Sequence, residues 1–450
     1  MAVDRQPARE VSLRRVAFAS CAGTTIEWYD FYIYGTAAAL VFPKVFFPAL
    51  GPAAGTVASF ATFAVAFFAR PVGAVLFGHY GDRIGRKRSL IATLLLMGVA
   101  TVCIGLVPSA ETIGVAAPIL LVLLRFAQGF AVGGEWAGAT LLAAEYAPKD
   151  KRGLYGVFPQ LGPAIAFALS SGTFLVTGLI LGDSDEAFLA FGWRIPFLAS
   201  ILLIAIGFWV RSSIDETPAF KAAQAQPAPA RENRLPFIDV LRTQPREVLL
   251  SAGSLVMLFG FFYMATAYLI SYGTDPQGAG LSRPVILGIN IVTSVVFAAA
   301  TAVAGVISDR FGRRKVIMAS CLFGIVWGLA LFPLVHTGTA AAYAVGLSIS
   351  LIIVGLSYGP AGSYLPELFA PRHRYTGAGL GYNIAGILGG AVPPLVAPIL
   401  ATSFGGIGIG LMLAGLGVLS LLCTLALPET RGVPLAHELA DQGSAATPAG

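Results

Sequence analysis

Long apolar runs follow one another along almost the whole chain, and they restrict the fold more than any other feature. Each run can cross a hydrocarbon core of about 30 Å as an α-helix, which satisfies its own backbone hydrogen bonds. Twelve such runs lie at 17–42, 56–79, 89–108, 115–143, 154–181, 194–210, 248–272, 284–307, 316–336, 340–365, 376–402 and 405–427. Charged residues make up 12% of the chain, against about 25% in a typical soluble domain. The sequence therefore predicts an all-α membrane protein with 12 transmembrane helices.

One long polar segment divides these runs into two sets of six. This segment is 212–247, and its core from Lys221 to Arg234 is rich in alanine, proline, glutamine and charge, which predicts a flexible cytoplasmic linker. It would join an N-terminal six-helix bundle at 17–211 to a C-terminal six-helix bundle at 248–427. Residues 1–16 and 428–450 are the expected cytoplasmic N-terminus and tail.

A charged motif occurs once in each half, between the second and third apolar runs of that half. Gly78, Asp82, Arg83, Gly85 and Arg86 recur 227 residues later as Gly305, Asp309, Arg310, Gly312 and Arg313. A motif repeated at half the chain length indicates a duplicated membrane unit, so the two bundles are expected to be pseudo-symmetric.

The motif also predicts a contact between the halves. Its aspartates can accept hydrogen bonds from a helix N-terminus, and its arginines can pair with Glu145 and Glu367, which end the fourth run of each half. We predict a conformational latch on the cytoplasmic face, formed by Gly78, Asp82, Arg83, Gly85, Arg86, Glu145, Asp309, Arg310, Arg313 and Glu367. The alternative for the basic residues is topological anchoring alone.

The distribution of lysine and arginine predicts the orientation. Most of the 29 lie in the termini and in the loops after even-numbered runs, and the positive-inside rule places these loops in the cytoplasm. Both termini are then cytoplasmic. The net charge of +6 is explained by this bias, so no nucleic-acid partner is expected. Arginine-rich loops without a targeting peptide fit a prokaryotic plasma membrane.

The paired Gly-x-x-x-Asp-Arg-x-Gly-Arg loops resemble the signature of the major facilitator superfamily. Further segments are similar to its metabolite:proton symporter branch, which includes osmolyte, 2-oxoglutarate, citrate and shikimate carriers. These segments are Glu27-Trp28-Tyr29-Asp30-Phe31, Ala69-Arg70-Pro71-Val72-Gly73, the stretch from Arg125 to Glu135, Gly192-Trp193-Arg194-Ile195-Pro196-Phe197, Glu216-Thr217-Pro218 and Pro428-Glu429-Thr430-Arg431-Gly432. The resemblance implies two bundles that rock around a midplane site and a proton gradient as the energy source.

Ionisable side chains inside the predicted helices lie in the first half only. They are Glu27, Asp30, Arg70, Arg125 and Glu135. Such groups are costly in a membrane, face the protein interior and mark transport pathways. Three carboxylates against two arginines leave one acidic group in excess. We therefore predict that Glu27, Asp30 and Glu135 form a proton-coupling site, with permanent ion pairs between helices as the alternative.

Substrate binding is expected to use polar groups from both halves. The candidates are Tyr34, Arg70, Arg125, Gln128, Tyr263, Asn290, Tyr358 and Asn383. The arginines favour a small carboxylate or zwitterion, such as 2-oxoglutarate, shikimate, proline or betaine. For the neutral candidates, a hydrogen bond between helices is the alternative.

The first hypothesis is thus a secondary active transporter that takes up its substrate by proton symport. A proton-coupled antiporter exporting a drug or metabolite is the second hypothesis, and a non-transporting membrane sensor is the third; sodium coupling and a channel are further alternatives. The sequence contains no metal-ligand cluster, activated nucleophile or phosphate loop, so we expect no enzyme activity, cofactor or metal. The expected partners are the small-molecule substrate, the proton and membrane lipid, and we expect the protein to function as a monomer.

Overall fold

The computed structural model describes residues 13–84, 86–133, 152–181, 185–213, 236–370 and 373–432. Helices account for nearly all of these residues. The long ones are Leu13–Leu40 (α1), Gly51–Ile84 (α2), Arg86–Leu106 (α3), Ala116–Val132 (α4), Arg152–Ile180 (α5), Arg194–Ser213 (α6), Pro245–Tyr263 (α7), Arg283–Phe311 (α8), Arg313–Val335 (α9), Ala340–Glu367 (α10), Arg374–Ala385 (α11) and Val392–Ala426.

The last of these helices contains a break at Gly405. Its φ of 64° lies in the left-handed region, which residues with a Cβ rarely adopt. The part before the break continues α11, and residues 406–426 form α12. Three π-helical segments also belong to spanning stretches within the described residues. Phe188–Gly192 precedes α6, Met264–Tyr268 extends α7, and Gly386–Ala391 joins the two parts of α11.

The prediction of 12 transmembrane helices is confirmed. Within the described residues, eight stretches are long and apolar enough to span a membrane, and one of them, Arg374–Ala426, contains both α11 and α12. The remaining three are α1, whose apolar run is interrupted by Glu27 and Asp30, and the shorter apolar helices Ile91–Leu106 and Ala116–Val132.

Helix packing repeats between the two halves, as the duplicated motif predicts. In the first half α1 packs on α5, α2 on α4, and α3 on α4 and α6; six helices later, α7 packs on α11, α8 on α10, and α9 on α10 and α12. The contacts between the halves follow the same rule, because α2 packs on α11 and α8 packs on α5, while α1 meets α7. The fold is therefore two pseudo-symmetric six-helix bundles facing each other.

Two glycines allow close helix contacts near the residues discussed below. A Cβ on Gly133 would lie 2.0 Å from the carbonyl oxygen of Arg70, so α2 and α4 pack backbone against backbone beside that arginine. A Cβ on Gly153 would lie 2.4 Å from the carbonyl oxygen of Gly305, so α5 and α8 meet in the same way across the bundle interface. Small residues at such positions are what membrane helices use to pack closely.

The segment expected to be a flexible linker is partly ordered. Pro236–Thr243 forms a helix, and Val240 is fully buried. Phe237 and Val240 pack against Val248, Phe369 and Leu380. The helix forms because its apolar side chains are buried against the loop between α10 and α11, a contact that composition alone does not reveal.

Candidate transport site

Two buried arginines of the first bundle lie against the same phenylalanine ring. The guanidinium carbon of Arg70, on α2, lies 4.5 Å from the centre of the Phe31 ring on α1, and that of Arg125, on α4, lies 4.2 Å from it. Both arginines are at most 4% exposed. Each therefore gains a cation–π interaction with the same ring.

Further aromatic rings surround this pair. Arg125 lies 4.0 Å from the Tyr34 ring and 5.0 Å from the Phe63 ring, and Arg70 lies 5.1 Å from the Phe67 ring. Tyr263 of α7 completes the group, with its ring 4.9 Å from Phe67 and 5.6 Å from Phe31. Two arginines of one bundle thus lie against an aromatic surface to which the other bundle contributes.

Arg125 retains donors that no described residue satisfies. Its Nη1 donates to Gln128 Oε1, whereas Nε and Nη2 have no hydrogen-bond partner among the residues that the structure describes. Arg70 is close enough to repel it electrostatically. A buried cation with unused N–H groups and a like charge nearby is unfavourable unless an anion binds there.

Asp30 connects to this arginine through a chain of side chains. Thr101 Oγ1, on α3, lies 2.9 Å from Asp30 Oδ2 and accepts a hydrogen bond of 2.8 Å from Gln128 Nε2. Gln128 in turn accepts from Arg125. Two neutral side chains, Thr101 and Gln128, thereby join the Asp30 carboxyl group to the Arg125 guanidinium. All four side chains are at most 1% exposed.

A small cavity of about 10 Å³ lies where the bundles meet, which is room for about one water molecule. Glu27, Arg70, Tyr382 and Asn383 contribute its polar lining. Asn383 Nδ2, from α11, donates to the carbonyl oxygen of Gly133 at 3.1 Å. The site is closed around this cavity, so a metabolite requires the bundles to separate.

Of the remaining predicted binding residues, Tyr34 lies beside the two arginines and the others do not. The Tyr34 ring faces Arg125, and its hydroxyl donates to Thr62 Oγ1 at 2.7 Å. Tyr358 stacks on Phe297, and its carbonyl oxygen accepts from Gln160 Nε2 of α5 at 2.9 Å. Asn290 on α8 is fully buried, and neither of its amide atoms has a hydrogen-bond partner among the described residues. Glu135, the third predicted proton-coupling residue, lies outside the described residues.

The second copy of the charged motif lies on the α5–α8 contact. Asp309 Oδ1 accepts a hydrogen bond from the Gly153 backbone N–H at 2.8 Å, and Oδ2 accepts from that of Leu154 at 3.0 Å. These amides belong to the first turn of α5, where a carboxylate is favoured by the helix dipole. The end of the bundles at which α5 begins and α8 ends is called the charged end below.

Arg313 joins this contact to α10. It pairs with Asp309 at 2.8 Å, and its Nε lies 3.6 Å from Glu367 Oε2. Thr430 Oγ1 donates to the same Glu367 oxygen at 2.6 Å. Arg310 does not take part in these ion pairs: it is exposed and lies 5.5 Å from the Phe311 ring.

The first copy of the motif is described only in part. Gly78, Asp82, Arg83 and Arg86 belong to the helices α2 and α3, but their side chains lie outside the described residues. Gly85 and Glu145 lie outside them entirely.

Three residues that take part in these contacts are not among the predicted site residues: Thr101, Gln160 and Glu429. Thr101 and Gln160 are neutral groups in apolar runs, where nothing in their local sequence distinguishes them. Glu429 belongs to the Pro-Glu-Thr-Arg-Gly segment, and its carboxylate accepts from the backbone N–H groups of Arg313 and Arg314 at 2.9 and 3.2 Å. It thus serves α9 as Asp309 serves α5.

A two-bundle membrane fold with a closed, charged site between the bundles defines a carrier of small molecules. The model of the Major Facilitator Superfamily matches residues 21–393, and the chain belongs to this family. Its members are transporters and not enzymes.

Curated relatives of similar length are transport proteins. An inner membrane metabolite transport protein of Escherichia coli (strain K12), YhjE, is 45% identical over 424 residues, which is 93% of this chain and 95% of the relative. The shikimate transporter of the same organism is 41% identical over 397 residues, 87% of this chain and 89% of the relative. The chain is therefore a multi-pass membrane transporter similar to metabolite carriers.

The fold agrees with solved structures. The proton:xylose symporter XylE bound to 6-bromo-6-deoxy-D-glucose matches with a TM-score of 0.71 over 96% of this chain and 99% of that chain. At 17% identity, this likeness concerns the fold alone.

Proposed function

We propose that this protein takes up a small carboxylate or zwitterion together with a proton, by alternating access between its two bundles. The observation that carries the proposal is Arg125, which is fully buried with two N–H-bearing nitrogens, Nε and Nη2, that no described residue satisfies.

A carboxylate fits the substrate side of this site. Guanidinium groups bind carboxylates through two parallel hydrogen bonds, and Arg125 has the free donors for them. Arg70 supplies a second positive charge beside the cavity. The shikimate transporter among the relatives supports a small carboxylate as the substrate, because shikimate is a hydroxylated monocarboxylate.

Asp30 fits the proton side. It is 1% exposed and linked to Arg125 through Thr101 and Gln128. A proton on Asp30 removes the negative charge that acts on Arg125, so the arginine becomes a stronger attractor of an external anion. Substrate and proton then favour each other's binding, because such coupling is reciprocal, and this favours their transport together. Glu27 and Glu135 remain the other proposed members of the proton-coupling group.

Alternating access requires contacts that break on one side while they form on the other. We propose that the Asp309, Arg313 and Glu367 contacts latch the charged end, that this end is cytoplasmic, and that the membrane is a prokaryotic plasma membrane. At the opposite end Phe60 on α2 and Tyr268 on α7 lie 6.0 Å apart between ring centres, and their separation opens the site to the outside.

The test uses purified protein in proteoliposomes that contain a pH-sensitive dye, with a panel of small carboxylates and zwitterions that includes shikimate, 2-oxoglutarate, proline and betaine. We expect one compound to acidify the interior as it enters. Asp30→Asn should stop this acidification, and Glu27→Gln serves as the comparison within the same group.

Three results contradict the proposal. Acidification of the outside during entry indicates antiport. Substrate flux without a proton signal indicates uniport or sodium coupling. Full proton coupling in both carboxylate variants removes the assignment of the proton to Glu27 and Asp30.

A further inference from the structure

The hydroxyl of Thr101 lies between the acid and the base of the site. Its oxygen is 2.9 Å from Asp30 Oδ2, 2.9 Å from the carbonyl oxygen of Met97 one turn earlier on α3, and 2.8 Å from Gln128 Nε2. Thr101 is fully buried. Three polar partners thus converge on a single hydroxyl in an apolar environment.

The donors and acceptors around the Thr101 hydroxyl allow it two hydrogen-bonding patterns. A threonine hydroxyl has one hydrogen to donate and two lone pairs to accept with. Gln128 Nε2 occupies one lone pair in both arrangements. When Asp30 is ionised, the Thr101 hydrogen points to Oδ2; when Oδ2 carries a proton, Asp30 donates to the second lone pair and the Thr101 hydrogen turns to Met97.

We propose that Thr101 is a positioning residue for proton coupling, whose hydroxyl changes its hydrogen-bond partner with the charge of Asp30. Because Gln128 binds both the Thr101 oxygen and Arg125, Thr101 lies on the hydrogen-bonded path between Asp30 and the arginine that receives the substrate. This inference rests on the proposed function, in which Asp30 exchanges the proton.

The charged side chains around Asp30 come from helices other than α3. Arg125 of α4 acts on Asp30 directly, and Arg70 of α2 lies across the Phe31 ring that it shares with Arg125. On α1 itself, Tyr29 interacts with Asp30 and Glu27 lies one turn earlier. Tyr263 of α7 lies beside Phe31. Residues 91–106 of α3 carry no charge. Replacing Thr101 therefore removes a hydrogen bond without changing the charge of the site.

The test compares Thr101→Val, which keeps the shape and loses the hydroxyl, with Thr101→Ser, which keeps the hydroxyl. Thr177→Val is the matched control, since Thr177 is 3% exposed on α5. Among the described residues its hydroxyl binds just the carbonyl oxygen of Thr173, in its own helix, at 2.7 Å. The readouts in proteoliposomes are proton-coupled uptake and substrate-for-substrate exchange, each measured across pH.

Loss of a donor to a carboxylate favours its neutral form. We expect Thr101→Val to move the pH of half-maximal uptake upward by about one unit, because a hydrogen bond to a charged group changes an equilibrium by roughly tenfold or more. Thr101→Ser should restore the wild-type profile, and Thr177→Val should leave it unchanged.

An unchanged pH profile in Thr101→Val, with proton entry abolished in Asp30→Asn, overturns the inference about Thr101 and leaves the proposed function intact. Uniform slowing of uptake and exchange at every pH also overturns it, because that result indicates a packing role. If Asp30→Asn keeps its coupling, the proposed function fails, whatever Thr101 does. Should the valine variant not reach the membrane, Thr101→Ala compared with Thr101→Ser gives the same decision.

Discussion

Asp309 accepts hydrogen bonds from the Gly153 and Leu154 backbone amides, at 2.8 and 3.0 Å, across the interface between the two bundles. The acceptor lies near the end of α8 and the donors lie in the first turn of α5. One carboxylate therefore joins the two halves at the charged end.

We expect Asp309→Asn to weaken this junction. The neutral amide retains one acceptor and loses the charge that favours a helix N-terminus, and hydrogen bonds to charged groups contribute about 1.5–3 kcal/mol. Amide hydrogen exchange at Gly153 and Leu154 should accelerate at least tenfold, while the amount of protein in the membrane stays unchanged. Asp275→Asn is the control, because the exposed Asp275 carboxylate accepts from the Gln277 backbone N–H within one loop and makes no contact between the bundles among the described residues. Unchanged exchange at the start of α5 would contradict the latch.

The α5–α8 contact predicts a contrast between two glycines of one helix. A Cβ on Gly153 would meet the Gly305 carbonyl oxygen at 2.4 Å, whereas one on Gly172 would have its nearest neighbour, Ile291 Cδ1, at 3.9 Å. Gly153→Ala should destabilise the closed arrangement by about 1–3 kcal/mol, as overpacking does, and lower both the thermal midpoint in detergent and the uptake rate. Gly172→Ala should leave both near the wild-type values. Equal effects of the two substitutions would show that helix propensity decides the result, not the interface.

Arg125 should not tolerate lysine. An ammonium group has no planar fork for a carboxylate and stacks less well on rings, and Arg125 is fully buried against three of them. We expect Arg125→Lys to raise the transport KM at least tenfold. Arg310→Lys, at an exposed arginine, should change it less than twofold. A wild-type KM in Arg125→Lys would move the substrate carboxylate to another residue.

The linker helix is held to the α10–α11 loop by His373. Its Nε2 lies 2.8 Å from Asp239 Oδ2, and its Nδ1 lies 3.1 Å from Gln244 Oε1, which also accepts from the Ala370 backbone N–H. His373→Ala and Asp239→Ala should each speed protease cleavage within 236–243 severalfold, and the double variant should be cleaved no faster than either one. Additive effects would mean that the two residues act independently.

The architecture and the charged centre of the site are readable from the sequence for a physical reason. Few backbone conformations can cross a bilayer, so the lengths of the apolar runs predict the helices. Asp30, Arg70 and Arg125 are conspicuous because ionisable residues are rare within such runs. Asp309 is predictable in a similar way, since topological anchoring by basic residues does not explain an aspartate that is repeated at half the chain length.

The contacts that the sequence does not predict are those that depend on which helices become neighbours. Thr101 binds Asp30 over a separation of 71 residues, and threonine is unremarkable in an apolar helix. Arg310 repeats Arg83 in the motif and yet points away from the ion pairs. The linker helix forms because Phe369 and Leu380, far along the chain, cover it.

Trp28 packs against the opposite bundle, with its ring centre 5.3 Å from that of Phe262 and 6.4 Å from that of Tyr263. It also lines the central cavity beside Glu27 and Arg70. When the bundles part, this indole exchanges an apolar wall for water or substrate, and its emission should shift to longer wavelength. Once the other four tryptophans are replaced, this indole is an optical probe of the closed state that reports the opening of the site without a label.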